Sequence, residues 1–169
     1  MCGIFGLWGF EKYDGIDEVL SLVSHRGPDS ADYYQDTKQN LTLGHTRLAI
    51  QDLSPLGAQP MFGSSERYVL VYNGEIYNVG ELRLSLEEQG QTFRGHSDSE
   101  VLLYLYERHG PKMLDWLNGI FAFAIWDSEN QQLFIARAGL GIKPLYYAAC
   151  DTYFAFSSEI KALPREDLD

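Results

Sequence analysis

Apolar and polar positions alternate along this chain in a way that predicts short elements throughout. Residues 3–8 form an unbroken apolar run and read as a buried strand. In residues 16–24, Ile16, Val19, Leu20 and Val23 recur at helical spacing on one face. Residues 41–50 are strand-like. Residues 51–65, with Pro55, Gly57, Pro60 and Gly63, form the longest expected loop. Tyr68 to Tyr72 is a strand, and the following Asn73-Gly74 predicts a tight hairpin turn. A helix over 79–89 places Val79, Leu82 and Leu86 in register. A second helix runs from about 98 to His109, with Ser97 and Glu100 at capping-box spacing and Gly110-Pro111 as its stop.

The last third changes character. Residues 120–126 are continuously apolar, so a strand there is buried on both faces. Phe121, Phe123 and Ile125 point one way; Ile120, Ala122, Ala124 and Trp126 point the other. Strands over 132–137, 145–149 and 153–157 follow at hairpin spacing. Hairpin-linked strands covered on both faces are most economically met by two packed sheets with helices outside them, a layered α+β fold.

Composition narrows this picture. At 169 residues, with 45% hydrophobic and 14% aromatic content, the chain is a single globular domain over 1–169. A net charge of −11 argues against a nucleic-acid or anionic-membrane binder, since both need a basic surface. Two cysteines, Cys2 and Cys150, make neither a disulfide framework nor a zinc cluster, and Cys150 reads as a small buried hydrophobe. The four histidines have no metal-ligand spacing, and no Gly-rich phosphate loop is present. No apolar stretch is long enough to span a bilayer, and a cytoplasmic, reducing setting is expected. No cofactor or metal is expected.

The chemistry of interest is at the start. A Cys behind the initiator Met is small enough for that Met to be removed. Cys2 would then carry a thiol and a free α-amine, whose unperturbed pKa of about 7.7–8.0 suits proton transfer near neutral pH. Arg47, in an otherwise apolar stretch, needs a partner if buried; its planar fork suits a carboxylate, and an internal ion pair is the plainer alternative. Asp98 falls in the first turn of a predicted helix, where an acid also complements the dipole. Arg26 and Asp29 read as a pair across the Gly27-Pro28 bend, bracing the start of the chain. His25, His45 and His96 read as packing or hydrogen-bonding residues.

Taken together, several stretches resemble class II glutamine amidotransferase domains, members of the N-terminal-nucleophile hydrolases, and most of all the glutaminase half of asparagine synthetases. They are MCGIFG at 1–6, SHRGPDS at 24–30, GHTRLAIQDLS at 44–54, GAQPM at 57–61 and YNGEIYN at 72–78. HSDSEVLL at 96–103, LNGIFAFAIWD at 117–127, GIKPLYY at 141–147 and FSSEIKAL at 156–163 complete the set. The resemblance implies a four-layer αββα sandwich of two antiparallel sheets. It implies hydrolysis of L-glutamine to glutamate and ammonia through a Cys2 glutamyl thioester. Asn73 and Gly74 would form the oxyanion hole, and Arg47 would hold the α-carboxylate. Leu48, Ala49, Ile50 and Gln51 would help through backbone groups, and Asp98 and Glu75 would take the α-ammonium.

The chain departs from the family pattern at Ala138-Gly139, where relatives usually carry an Asp followed by a basic residue or Pro. The nucleotide-binding synthetase domain that the resemblance leads one to expect does not appear by residue 169. An ammonia-accepting synthetase domain or subunit is therefore the expected partner, and a homodimer is compatible with it. A non-catalytic glutamine-sensing or scaffold domain is the alternative if Met1 is retained. Another amidase with a different amide substrate is the third reading, and Arg47 with Asp98, a reader for a free amino acid, argues against it.

Overall fold

The computed structural model describes residues 1–10, 13–50 and 52–164. In chain order these form β1 (Gly3–Trp8), α1 (Ile16–Val23), β2 (Ser30–Asp36), β3 (Leu41–Arg47), β4 (Met61–Phe62) and β5 (Tyr68–Ile76). Then come α2 (Val79–Glu88), α3 (Asp98–His109), β6 (Gly119–Asp127), β7 (Gln132–Arg137), β8 (Tyr146–Ala149) and β9 (Phe154–Ser157). One sheet has the order β2-β3-β1-β9-β8 and the other β4-β5-β6-β7. Every pairing of these strands is antiparallel.

Alternating side chains divide the interior into three apolar layers, as a period of two requires. Between the sheets lie Ile4, Leu41, Leu43, Val69, Val71, Ala122, Ala124, Trp126 and Phe156. Phe5 and Leu7 turn the other way, onto Ile16, Val19 and Val23 of α1. Phe121, Phe123 and Ile125 turn outward from the second sheet, onto Leu82 and Leu86 of α2 and Val101, Leu102 and Leu105 of α3. The result is the expected αββα sandwich, with β6 divided between its two faces as its alternation predicts.

The central strand β1 is packed too tightly for any side chain at two nearby glycines. A Cβ at Gly44 would overlap the Phe5 ring, and one at Gly6 the Phe156 ring. Gly44→Ala is therefore expected to destabilise the protein by about 1–3 kcal/mol, the usual cost of overpacking, read as a lowered denaturation midpoint. Gly139→Ala, where no atom lies within 4 Å of the added carbon, should leave that midpoint within about 0.5 kcal/mol.

Four expectations need correction. The strand β2 was not anticipated, because its residues are mostly exposed and carry no apolar alternation. It is a sheet edge paired with β3, from which Tyr34 alone packs against the layer between the sheets. The Asn73-Gly74 turn does not exist. The strand β5 continues to Ile76, because β6 pairs with it all the way to Gly119. Cys150 is exposed, not buried, with its Sγ 3.3 Å from Thr152 Oγ1. Finally, Arg26 and Asp29 do not pair with each other: Arg26 bonds Glu159, and Asp29 accepts from the Ala49 N–H at 2.8 Å.

Candidate functional site

Three strands end their inward faces in polar residues, all at one end of the sandwich. On β3 the inward series runs Leu41, Leu43, His45, Arg47. On β5 it runs Val69, Val71, Asn73. On β1, Cys2 lies two residues before the inward Ile4. These polar ends open onto a cleft of about 170 Å³ lined by Cys2, His45, Arg47, Asn73, Gly74 and Asp98, with Leu48, Ala49, Ile50 and Glu75 also on its walls. Gln51 lies outside the described residues. The structure thus brings together every other residue the sequence offered as catalytic or substrate-binding.

The nucleophile candidate is braced from the opposite end of the chain. Arg26 Nε donates to the Cys2 carbonyl at 3.0 Å, and Arg26 Nη1 donates to Glu159 Oε1 at 2.7 Å. That guanidinium holds the Glu159 carboxyl below the usual carboxylate range. The next turn of the brace is reciprocal: the Ile4 N–H donates to Ser158 Oγ at 3.0 Å, and the Ser158 N–H to the Ile4 carbonyl at 2.9 Å. The Cys2 side chain itself is lightly held. Its Sγ accepts from the Leu48 N–H at 3.4 Å and lies 3.7 Å from the Leu48 carbonyl.

Among the described residues Arg47 pairs with no carboxylate. Its Nη2 donates to the Ser54 carbonyl at 3.0 Å and to the Asp52 carbonyl. Gly57 makes room for it, since a Cβ there would lie 2.7 Å from Nη2. The loop it grips is tied further by Asp52, whose carboxylate accepts from the Ser54 N–H at 2.8 Å and the His96 N–H at 3.3 Å. Those bonds, the Ser54 contacts first, hold the Asp52 carboxyl below its ordinary pKa.

The edge of β5 beyond the short β4 is a row of N–H groups without a strand partner. Tyr72 N–H donates to the Gln59 side-chain oxygen at 2.6 Å, and Ile76 N–H donates to Asp98 Oδ2 at 3.2 Å. Residues two apart in a strand point their backbone groups to the same edge, so the Gly74 N–H lies between them, on the cleft. Beside it, the Asn73 side-chain Nδ2 is buried with no hydrogen-bond partner among the described residues. Gly74 has to be glycine: a Cβ would sit 2.5 Å from the Tyr72 ring and 2.8 Å from the Ile120 carbonyl.

Asp98 is the first residue of α3, after the Ser97 cap whose Oγ accepts from the Glu100 N–H at 3.4 Å. Only 6% exposed, it accepts the Tyr72 hydroxyl at 2.6 Å. Burial pushes the Asp98 carboxyl pKa up, against hydrogen bonds from the Tyr72 hydroxyl and from the Ile76, Ser99 and Asp98 backbone that favour its charged form. Burial next to Asp98 also raises Tyr72 well above its ordinary pKa. Glu75, by contrast, is exposed on the rim.

The cleft therefore gathers a thiol, unpaired donors, a guanidinium and a buried carboxylate around a volume suited to one small zwitterion. Its walls also include Gln59, Tyr72, Ser97, Ser99 and Lys143, none of which sequence reasoning assigned to the site. The strand alternation from Arg47 back to His45, which was read as a packing residue, was the available signal for that wall residue. Among the described residues no group of three or more His, Cys, Asp or Glu could hold a metal ion. No helix among them is long and apolar enough to cross a membrane.

A family model described as a glutamine amidotransferase domain matches residues 1–168. The chain is 41% identical over 170 residues to asparagine synthetase [glutamine-hydrolyzing] 3 of Bacillus subtilis, covering 96% of this chain and 27% of that protein. It is 42% identical over 170 residues to asparagine synthetase B [glutamine-hydrolyzing] of Escherichia coli, covering 96% of this chain and 30% of that one. It spans about a quarter to a third of the length of these relatives. Among solved structures, glutamine phosphoribosylpyrophosphate amidotransferase from B. subtilis superposes with a TM-score of 0.80 at 26% identity, over 95% of this chain and 42% of that one.

Proposed function

Because the chain belongs to the family of glutamine amidotransferase domains, we propose that its cleft hydrolyses L-glutamine through a thioester on Cys2 and supplies the ammonia to a synthetase domain or partner. The observation that carries this reading is the convergence of Cys2 with the unpartnered Asn73 Nδ2 and the Gly74 edge, in a cleft that also holds Arg47 and Asp98.

After removal of Met1, the Cys2 α-amine takes the thiol proton as sulfur attacks the side-chain carbonyl carbon. Negative charge develops on the amide oxygen, where Asn73 Nδ2 and the Gly74 N–H stabilise it. Collapse breaks the C–N bond, and the α-ammonium returns its proton to the departing nitrogen, giving ammonia and a glutamyl thioester. Water, deprotonated by the same amine, attacks the thioester through a second tetrahedral state, and glutamate leaves as the thiol is restored. Arg47 receives the α-carboxylate, with the backbone of Leu48, Ala49, Ile50 and Gln51 alongside. Asp98 receives the α-ammonium with Glu75, Asp98 being the stronger contributor because it is buried.

A cleft that reads both charges of a free amino acid discriminates against blocked substrates. Ammonia release from N-acetylglutamine or from glutamine α-methyl ester is expected to be about thirtyfold slower or worse than from glutamine, in kcat/KM, on the scale of one lost charge-assisted hydrogen bond. Equal turnover of blocked and free forms would remove Arg47 and Asp98 from these roles. Intact mass of the same preparation decides the alternative, a glutamine-binding regulatory domain. With Met1 retained, the amine is locked in a peptide bond and Met1 itself lines the cleft.

The exposed apolar residues near the cleft support the partner. Leu140 is 87% exposed, Tyr147 71%, and Ile142 also projects to the surface; Lys143, in the same segment, lines the cleft. Clustered apolar exposure of this kind marks interaction surfaces.

A further inference from the structure

His45 has no task in the chemistry above, yet it is the innermost polar residue on the inward face of β3. It is 1% exposed and lines the cleft two residues before Arg47. The Tyr72 backbone favours the protonated ring, and among the described residues the buried Nε2 has no hydrogen-bond partner. Burial, reinforced by the Arg47 charge and opposed by the Tyr72 bond, pushes the imidazole pKa down to about 3. The ring is therefore neutral at physiological pH. A neutral imidazole that donates from Nδ1 to a carbonyl leaves Nε2 as a lone-pair acceptor.

Two of the cleft's buried polar atoms are thus unsatisfied, and they are opposite in kind. Asn73 Nδ2 is a donor and His45 Nε2 an acceptor. Buried polar groups without partners are costly, and a native protein keeps them where a ligand completes them. One donor and one acceptor together complement a primary carboxamide, which offers a carbonyl oxygen and an N–H. They do not complement a carboxylate, which offers two acceptors and would set an oxygen lone pair against that of Nε2.

We propose that His45 Nε2 accepts a hydrogen bond from the carboxamide N–H of the substrate while Asn73 Nδ2 donates to its oxygen, so that His45 sets the preference for amide over carboxylate. This extends the glutaminase reading and rests on it. It makes the same atom that welcomes glutamine unfavourable to the product glutamate.

Two substitutions separate this role from packing. In His45→Asn the side-chain NH₂ overlays Nδ1 and keeps the bond to the Tyr72 carbonyl, but nothing replaces Nε2. In His45→Gln the amide oxygen reaches towards the Nε2 position. With Met1-processed protein, His45→Asn is expected to lower kcat/KM for glutamine about tenfold, the scale of one hydrogen bond, while glutamate inhibits more tightly than in wild type. His45→Gln should recover part of both changes. Loss of glutamine and glutamate binding in step, or a Gln variant no better than the Asn variant, would overturn the role. A wild type that releases no ammonia from glutamine overturns the glutaminase reading and this proposal with it; an active wild type with unmoved selectivity removes His45 alone. Should neither variant fold, the ¹⁵N signal of His45 Nε2 in Cys2→Ala protein serves instead. It should shift on saturation with glutamine, and an unmoved signal would overturn the proposal.

Discussion

Cys2→Ala is expected to reduce glutamine-dependent ammonia release on the order of 10⁶-fold, the scale on which a covalent nucleophile is missed when its partners remain. On the proposed mechanism the thiol is the group that bonds the substrate carbon, and the methyl of alanine offers no nucleophile in its place. The loss should come without unfolding. The Cys2 side chain makes only long sulfur contacts to Leu48, at 3.4 and 3.7 Å, whereas the brace from Arg26 grips the Cys2 backbone carbonyl and survives the substitution. Denaturation midpoints should agree within about 0.5 kcal/mol. Glutamine binding should survive too, since Arg47 and Asp98 are untouched, and calorimetry on the variant would read it directly. Residual turnover in Cys2→Ala near the wild-type rate would end the thioester mechanism.

Asn73→Ala is the second large effect, and it has an uncommon signature. Removing one oxyanion donor typically lowers kcat about 10²–10³-fold. A buried asparagine normally also supports the fold, so its truncation normally costs stability. Here the Nδ2 is 2% exposed with its residue and has no partner, so truncation abolishes an unsatisfied donor while opening a small space. These effects oppose each other, and the stability change should remain within about 1 kcal/mol. A large fall in kcat with KM and midpoint nearly unchanged is the expected outcome. A variant equally slow but strongly destabilised would instead mark Asn73 as a structural residue.

Much of this site was legible because chemistry and periodicity agreed. Arg47 in an apolar strand, Asp98 in a capped helical turn and Cys2 ahead of a buried run each carried a local reason to be noticed. The three apolar layers followed from residues 120–126, whose doubly buried run demands cover on both sides. Where reading failed, local signals were overruled by distant partners. Asn73-Gly74 has the composition of a hairpin turn, yet pairing with β6 extends β5 through it, and the glycine is demanded by the Tyr72 ring. The edge strand β2 is paired along its length with its neighbour's backbone and shows no apolar alternation of its own. Arg26 pairs with Glu159, 133 residues away, so the nearby Asp29 was the wrong partner. No local pattern reveals a contact at that separation. His45 was passed over because a lone histidine in an apolar strand is ordinarily packing, and only its orphaned Nε2 in three dimensions says otherwise.

That long-range brace also fixes an order of events during synthesis. The strand β1 emerges from the ribosome first, yet its neighbour β9 and the Glu159 that anchors Arg26 are among the last of the described residues to be made. At about 5–20 residues per second, the amino terminus waits roughly ten to thirty seconds for them. During that interval Cys2 lies on an unfinished sheet, without the clamp on its carbonyl. The residue proposed as nucleophile is thus made early and immobilised late, and a nascent chain carries it long before the cleft around it is complete.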